Sequence, residues 1–190
     1  MSFQSQTAVS QDFDTQETNI TSNYDLFQNS PKGWEKEVVS NNLDTMKTFR
    51  IQQLESQSMS AINAAYHSGQ KVVFPNAMIA GDVVITHMLY RLGLINDISV
   101  LFVNTLHLFE ETLDFIEDIE KEYGFKGYQT MAEGITGDRH ESKKMYDRVY
   151  GADLWKKDIT AYDRICKVEP FQRGLKDLGA QVVITGRTRW

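Results

Sequence analysis

Three short apolar runs, Lys71–Phe74 (KVVF), Ser99–Asn104 (SVLFVN) and Gln181–Thr185 (QVVIT), constrain this chain more than any other feature. Each is too short for a buried helix, is partly β-branched and shows no alternating polar face, the pattern of strands covered on both sides. Between them, apolar residues recur at helical spacing. Val83, Val84, Ile85, Met88, Leu89 and Leu92 follow Asp82, which reads as an N-cap. Phe109, Leu113, Ile116, Ile119 and Tyr123 form a second stripe; Tyr128–Met131 reads as another strand and Glu141–Tyr150 as another helix. Pro170 suits the first turn of a last helix, which buries Phe171, Leu175 and Leu178 and is closed by Gly179. This alternation predicts an α/β fold, a mostly parallel twisted sheet flanked by helices. Ligands of such sheets sit beyond the carboxyl ends of the strands. Three segments are thereby singled out: Pro75–Asp82, Asn104–Glu111 and Gly186–Trp190.

The rest of the chain sets limits. Trp34, Val38, Leu43, Met46, Phe49 and Leu54 recur every three to five residues, predicting one helix or two short ones with these on one face, ended near Gly69. The first 30 residues hold 17 Ser, Thr, Gln and Asn and no Lys or Arg. Such a segment has too little apolar surface to offset its ordering entropy, so residues 1–33 are expected to be a disordered polar tail and 34–190 the folded domain. The tail has neither the basic start nor the apolar stretch of a secretory signal, and no run reaches the roughly 18–20 apolar residues of a membrane span. A cytoplasmic protein without a membrane partner is expected. With 20 Lys+Arg against 26 Asp+Glu the net charge is -6, which argues against nucleic acid as a partner. The single cysteine excludes an intrachain disulfide or a multi-cysteine site, and the four histidines show no metal-ligand spacing.

The first segment, Pro75 to Asp82, joins a strand to a helix N-terminus, where backbone amides favour an anion. It has one glycine and no serine or lysine, so on its residues alone it reads as an ordinary turn. In the second, Asn104, Thr105 and His107 suit hydrogen bonding to a base or ribose, or simply cap the next helix. In the third, Arg187 and Arg189 follow a permissive Gly186 and form either an oxyanion clamp or a pair of surface cations. Lys167, Arg164 and Arg173, near Pro170, extend the same positive charge. Cys166, between Arg164 and Lys167, is either a thiol activated by these cations or a packing residue.

Taken together, these segments resemble the phosphoadenylyl-sulfate (PAPS) reductase family. Tyr150 to Arg189 carries its YG…LW, Y-D…KVEP…R…L and TGRR-type elements in order, Asn104 to Thr112 (NTLHLFEET) is similar to its DT-(G/L)-(H/Y)-LFPET motif, and Pro75 to Val84 stands where its phosphate loop lies. The resemblance implies an adenine-nucleotide α-hydrolase-like fold and the reduction of PAPS in sulfate assimilation. A cysteine near the family's C-terminus attacks the sulfur, giving S-sulfocysteine and adenosine 3′,5′-bisphosphate; thioredoxin or glutaredoxin then releases sulfite. By motif position, Lys167, Arg187 and Arg189 are the cations for the phosphates and sulfate. Asn104, Thr105 and His107 line the nucleoside, and Met78, Ile79, Ala80, Gly81 and Asp82 approach it through backbone groups. The first cysteine pair of the related cluster-bearing adenylyl-sulfate reductases is replaced by Tyr162 and Asp163, so no iron–sulfur cofactor is expected. Whether the chain pairs as a homodimer stays open.

Three departures qualify the resemblance. Asn76-Ala77-Met78-Ile79 replaces the family's S-S-F-G, removing hydroxyl donors and adding bulk at the glycine position. Asn104 replaces the usual aspartate and Glu110 the usual proline. No E-C-G-(I/L)-H segment follows the arginine loop, and Cys166 does not match its nucleophile. The sequence is therefore expected to be an incomplete or diverged reductase that does not turn over, the alternative being an inactive adenine-nucleotide-binding module or regulatory subunit.

Overall fold

The structure, a computed structural model, describes residues 34–186, with side chains from residue 43 onward. The expected tail and the pair Arg187 and Arg189 lie outside the described residues. The chain divides into two compact units, Met1–Arg50 and Ile51–Trp190. In the first, the described part is the beginning of a continuous helix, α1 (Trp34–Tyr66). Leu43, Met46 and Phe49, from the expected apolar stripe, are 51%, 69% and 68% exposed. Spacing identifies the stripe and leaves open what covers it. In the second unit Leu54 is exposed as well, and α1 enters the core only through Ile62, with Tyr66 packed beside it.

The second unit continues with β1 (Val72–Pro75), α2 (Ala80–Arg91), β2 (Ser99–Val103), α3 (Glu110–Tyr123), β3 (Tyr128–Thr130) and α4 (Arg139–Tyr150). It ends with α5 (Leu154–Lys157), α6 (Ile159–Asp163), a π-helical turn (Arg164–Val168), α7 (Glu169–Asp177) and β4 (Val182–Val183). The strands form one parallel sheet in the order β3-β2-β1-β4. Winding therefore reverses at β1, which pairs with β2 and β4 through Val73 opposite Ser99 and Val183. Val72, Val73 and Phe74 are all buried, which is why this run shows no alternation.

Local chemistry accounts for the helix ends. Gly124, at φ 67, closes α3 in the left-handed conformation, Pro170 lies in the first turn of α7, and Gly179, at φ 64, follows its end. The expectation for Asp82 is corrected. Ile79 caps α2, because the Asp82 carboxylate reaches back from the first turn and its Oδ2 accepts the Ala77 N–H at 2.9 Å. Helices α5 and α6 and the π-turn were not anticipated, since elements of four or five residues are too short to display a period.

Helix α7 approaches the sheet closely. A methyl group on Gly174 would lie 2.6 Å from Leu101 Cδ1 and 3.1 Å from Thr130 Cγ2, so only glycine lets this helix sit at this depth. At α4 the Asp138 side chain accepts the N–H groups of His140 and Glu141, both at 2.9 Å. Those bonds, that to Glu141 foremost, hold its carboxyl below the usual aspartate range. A lowered folded-state pKa gives stability that is present above the unfolded value and lost as the pH falls through the folded one. Asp138→Ala is expected to lower the melting temperature at pH 7, and the gap to wild type should shrink on acidification below about pH 4. Parallel thermal melts across that range check it.

Candidate functional site

The sheet's two central strands end in turns of the same construction. After β1 the chain runs Asn76-Ala77-Met78, and after β2 Asn104-Thr105-Leu106. Asn76 Oδ1 accepts the Met78 N–H at 2.8 Å, and Asn104 Oδ1 accepts the Leu106 N–H at 2.9 Å. Met78 and Leu106 both take left-handed backbone, at φ 60 and 61. An asparagine that accepts from the amide two residues on mimics a backbone turn and lets a strand stop abruptly. The left-handed conformation costs a non-glycine residue roughly 1–2 kcal/mol, so each turn stores some strain. The left-handed residue of the first turn is thus Met78, whereas Ile79, which stands at the family's glycine position, is an ordinary extended N-cap at φ -76.

The first turn is braced from behind. Asn76 is buried, and its Nδ2 donates to Thr86 Oγ1 at 2.9 Å; that hydroxyl in turn donates to the Asp82 carbonyl at 2.9 Å. The amides of Ala77 and Met78 are therefore engaged by side chains, and those of Ile79, Ala80 and Gly81 meet no acceptor among the described residues. Ile79, Ala80 and Gly81 are exposed at the start of α2, and Asp82 is buried against the loop. The loop after β4 is described as far as Gly186, where an added methyl would come 3.3 Å from Asp82 Oδ1. The segment that continues to Arg187 and Arg189 thus starts beside the α2 N-terminus.

A cleft of about 580 Å³ opens at these strand ends. Asn76, Ala77 and Met78 line it from β1, Asn104 and Thr105 from β2, and Lys167, Val168, Phe171 and Gln172 from the π-turn and α7. The widened turn re-aims neighbouring side chains. Cys166 is fully buried, whereas Lys167 reaches the cleft. Lys167 Nζ pairs with Asp163 at 2.6 Å and lies 5.2 Å from the Tyr162 ring centroid. The Asp163 carboxylate beside it holds the ammonium above the usual lysine range, so it is a cation at physiological pH.

The cleft gathers Met78, Asn104, Thr105 and Lys167. His107 does not line it but lines an adjoining cleft of about 520 Å³, which shares Asn104 and Leu108 with the first. The imidazole packs edge-on against Tyr146 and Tyr162 at 5.1 and 5.2 Å between ring centroids, with Nδ1 3.1 Å from the Thr105 carbonyl. Arg173 is also committed elsewhere, to Glu169 at 2.7 Å and to the Met131 carbonyl. The alternatives for Cys166 resolve to packing: its thiol donates to Tyr146 Oη at 3.5 Å inside an apolar cluster, and burial pushes its pKa up despite the nearby lysines. Burial raises the Tyr146 hydroxyl as well. Asn76, Phe171 and Gln172 were missed as lining residues. The shared pattern of asparagine after a buried strand was the available signal for Asn76; nothing local announced the π-turn that brings in the other two.

Comparison with known proteins identifies the family and the fold. The model of the phosphoadenosine phosphosulfate reductase domain matches residues 72–189. Phosphoadenosine phosphosulfate reductase of Saccharomyces cerevisiae is 40% identical over 91 residues, 48% of this chain and 34% of that protein. That of Emericella nidulans is 34% identical over 93 residues, 48% of this chain and 29% of that protein, so the alignments span about a third of these relatives or less. The crystal structure of phosphoadenylyl-sulfate (PAPS) reductase from Candida auris, a phosphate complex, superposes with a TM-score of 0.62 at 23% identity, covering 74% of this chain and 68% of that one, a likeness of fold. The domain match opens on the first residue of β1 and continues beyond β4, taking in every residue that lines the cleft; the chain belongs to the phosphoadenosine phosphosulfate reductase domain family.

Proposed function

We propose that the cleft seats PAPS or its product adenosine 3′,5′-bisphosphate. Lys167 faces the anionic end, and Asn104, Thr105 and the Asn76–Met78 turn face the nucleoside. Arg187 and Arg189 add the remaining positive charge. The observation that carries this reading is the domain match over residues whose side chains converge on one cleft with a cation in it. Physically, the site supplies what group transfer from a phosphosulfate needs first, a fixed cation and aligned polar groups.

The full activity proposed from family membership is thioredoxin- or glutaredoxin-dependent reduction of PAPS to sulfite in sulfate assimilation. It requires a thiolate that attacks sulfur, and the single cysteine of these 190 residues is sealed in the core. That burial favours a second reading for the chain as it stands, an adenine-nucleotide-binding module without turnover. Neither reading uses an iron–sulfur cluster, because Tyr162 and Asp163 offer no thiolates. Incubation with PAPS and reduced thioredoxin is expected to yield no sulfite above the blank, while calorimetry registers binding of adenosine 3′,5′-bisphosphate. Sulfite formation that persists in Cys166→Ser would refute the absence of turnover, and no calorimetric signal would refute the nucleotide assignment.

A further inference from the structure

We propose that Asp163 competes with the ligand's anionic groups for the Lys167 ammonium and so restrains how tightly the cleft binds them, an inference that rests on the nucleotide reading above. Both groups beside the ammonium come from the helix just before it, the Asp163 carboxylate at 2.6 Å and the Tyr162 ring at 5.2 Å. Neither belongs to the lining of the cleft, although Lys167 does, and Lys167 is the one charged side chain among the described residues that line it. Its charge is permanent, but the cleft does not impose its direction. A four-carbon stem ending in three rotatable donors lets the ammonium turn from one partner to another.

The pair with Asp163 is close without being well directed. Oδ1, the oxygen nearest the ammonium, is closed to solvent and accepts no aligned hydrogen bond among the described residues. The same four-residue spacing behaves differently on α4, where Lys143 Nζ donates to Asp147 Oδ1 at 2.7 Å in an aligned bond. There the helix is regular, whereas a π-turn begins directly after Asp163 and shifts residue 167 round the axis from the place such pairing requires. A phosphate oxygen arriving from the open cleft can align with the N–H groups, and charge-assisted bonds of that kind are the stronger ones. Its gain is offset elsewhere, because an ammonium that turns away leaves Oδ1 sealed and unpaired. The carboxylate is thus a brake that only a charged ligand has to overcome, since an uncharged nucleoside makes no claim on the lysine.

Asp163→Asn removes the charge and keeps the shape. At low salt the variant should bind adenosine 3′,5′-bisphosphate about fivefold more tightly than wild type, the effect of releasing one half-exposed ion pair. Adenosine, which carries no anion, should bind both proteins equally. The same change made in Lys167→Ala should give a smaller gain, because no ammonium is left to release. Titration calorimetry of the four proteins with both ligands reads these outcomes. Bisphosphate affinity in Asp163→Asn equal to or below that of wild type overturns the proposal. Equal gains with and without the lysine also overturn it, since they mean a general field instead of a contest for one ammonium. So does an equal gain for adenosine, which means a reshaped cleft. If wild type binds neither ligand, the nucleotide reading falls and this inference falls with it. Should Asp163→Asn not fold, Asp163→Ser removes the same charge and is judged by the same outcomes.

Discussion

Lys167→Ala is expected to weaken binding of adenosine 3′,5′-bisphosphate by about 10- to 100-fold, the range for losing a charge-assisted contact. Lys167 is half exposed, and solvent screening alone would place the effect at the lower end. Asp163 works in the other direction. In the wild type its carboxylate lies 2.6 Å from the ammonium, and once the lysine is gone it remains as an uncompensated negative charge near a site meant for anions. Lys167→Ala/Asp163→Asn should therefore recover part of the loss, while Lys167→Arg keeps most of the affinity. Titration calorimetry of the four proteins at low and moderate salt checks the scheme, and equal affinity in wild type and Lys167→Ala would remove the lysine from the site.

Gly174→Val should destabilise the domain by about 1–3 kcal/mol, the usual cost of forcing extra atoms into a packed interior. One methyl would already stand 2.6 Å from Leu101 Cδ1, and valine adds two more carbons beyond it. Gly174→Ala is the informative comparison. It meets the same steric wall, but alanine gains about 1 kcal/mol of helix propensity over glycine, so its net loss should be smaller. Urea denaturation midpoints rank the three proteins, and a midpoint in Gly174→Val equal to wild type would show that α7 has room to move. Because Phe171 and Gln172 reach the cleft from the same helix, the valine variant should also bind nucleotide less well than its remaining folded fraction accounts for.

β1 and β2 were legible in the sequence because their central residues are buried and so appear as unbroken apolar runs; β2 and β4 fall inside the segments chosen on that ground and β1 runs one residue past its own, to Pro75, while β4 is only partly covered and β3 is exposed at Tyr128 and Gln129. The end of the sheet that carries the cleft was legible for a topological reason, since parallel strands all present their carboxyl ends on one side. Individual side chains were less so. Asn104 and His107 stand three residues apart in one motif with the left-handed backbone at Leu106 between them; Asn104 lines both adjoining clefts, and His107 packs against an aromatic cluster and lines only the second. Lys167 and Cys166 are neighbours with opposite fates because of a π-turn that no periodicity announces. The stripe on α1 was visible, but Leu43, Met46 and Phe49 show that a pattern of apolar residues does not by itself supply something to pack against.

The paired asparagine turns also bear on how a ligand would be received. Loops that cradle phosphates are commonly glycine-rich and must be immobilised when the guest arrives, which subtracts from affinity. Here both rims are held stiff beforehand by side-chain amides, so association should draw little on chain ordering, and relief of the strain at Met78 by glycine would loosen the receptor before it helped the guest.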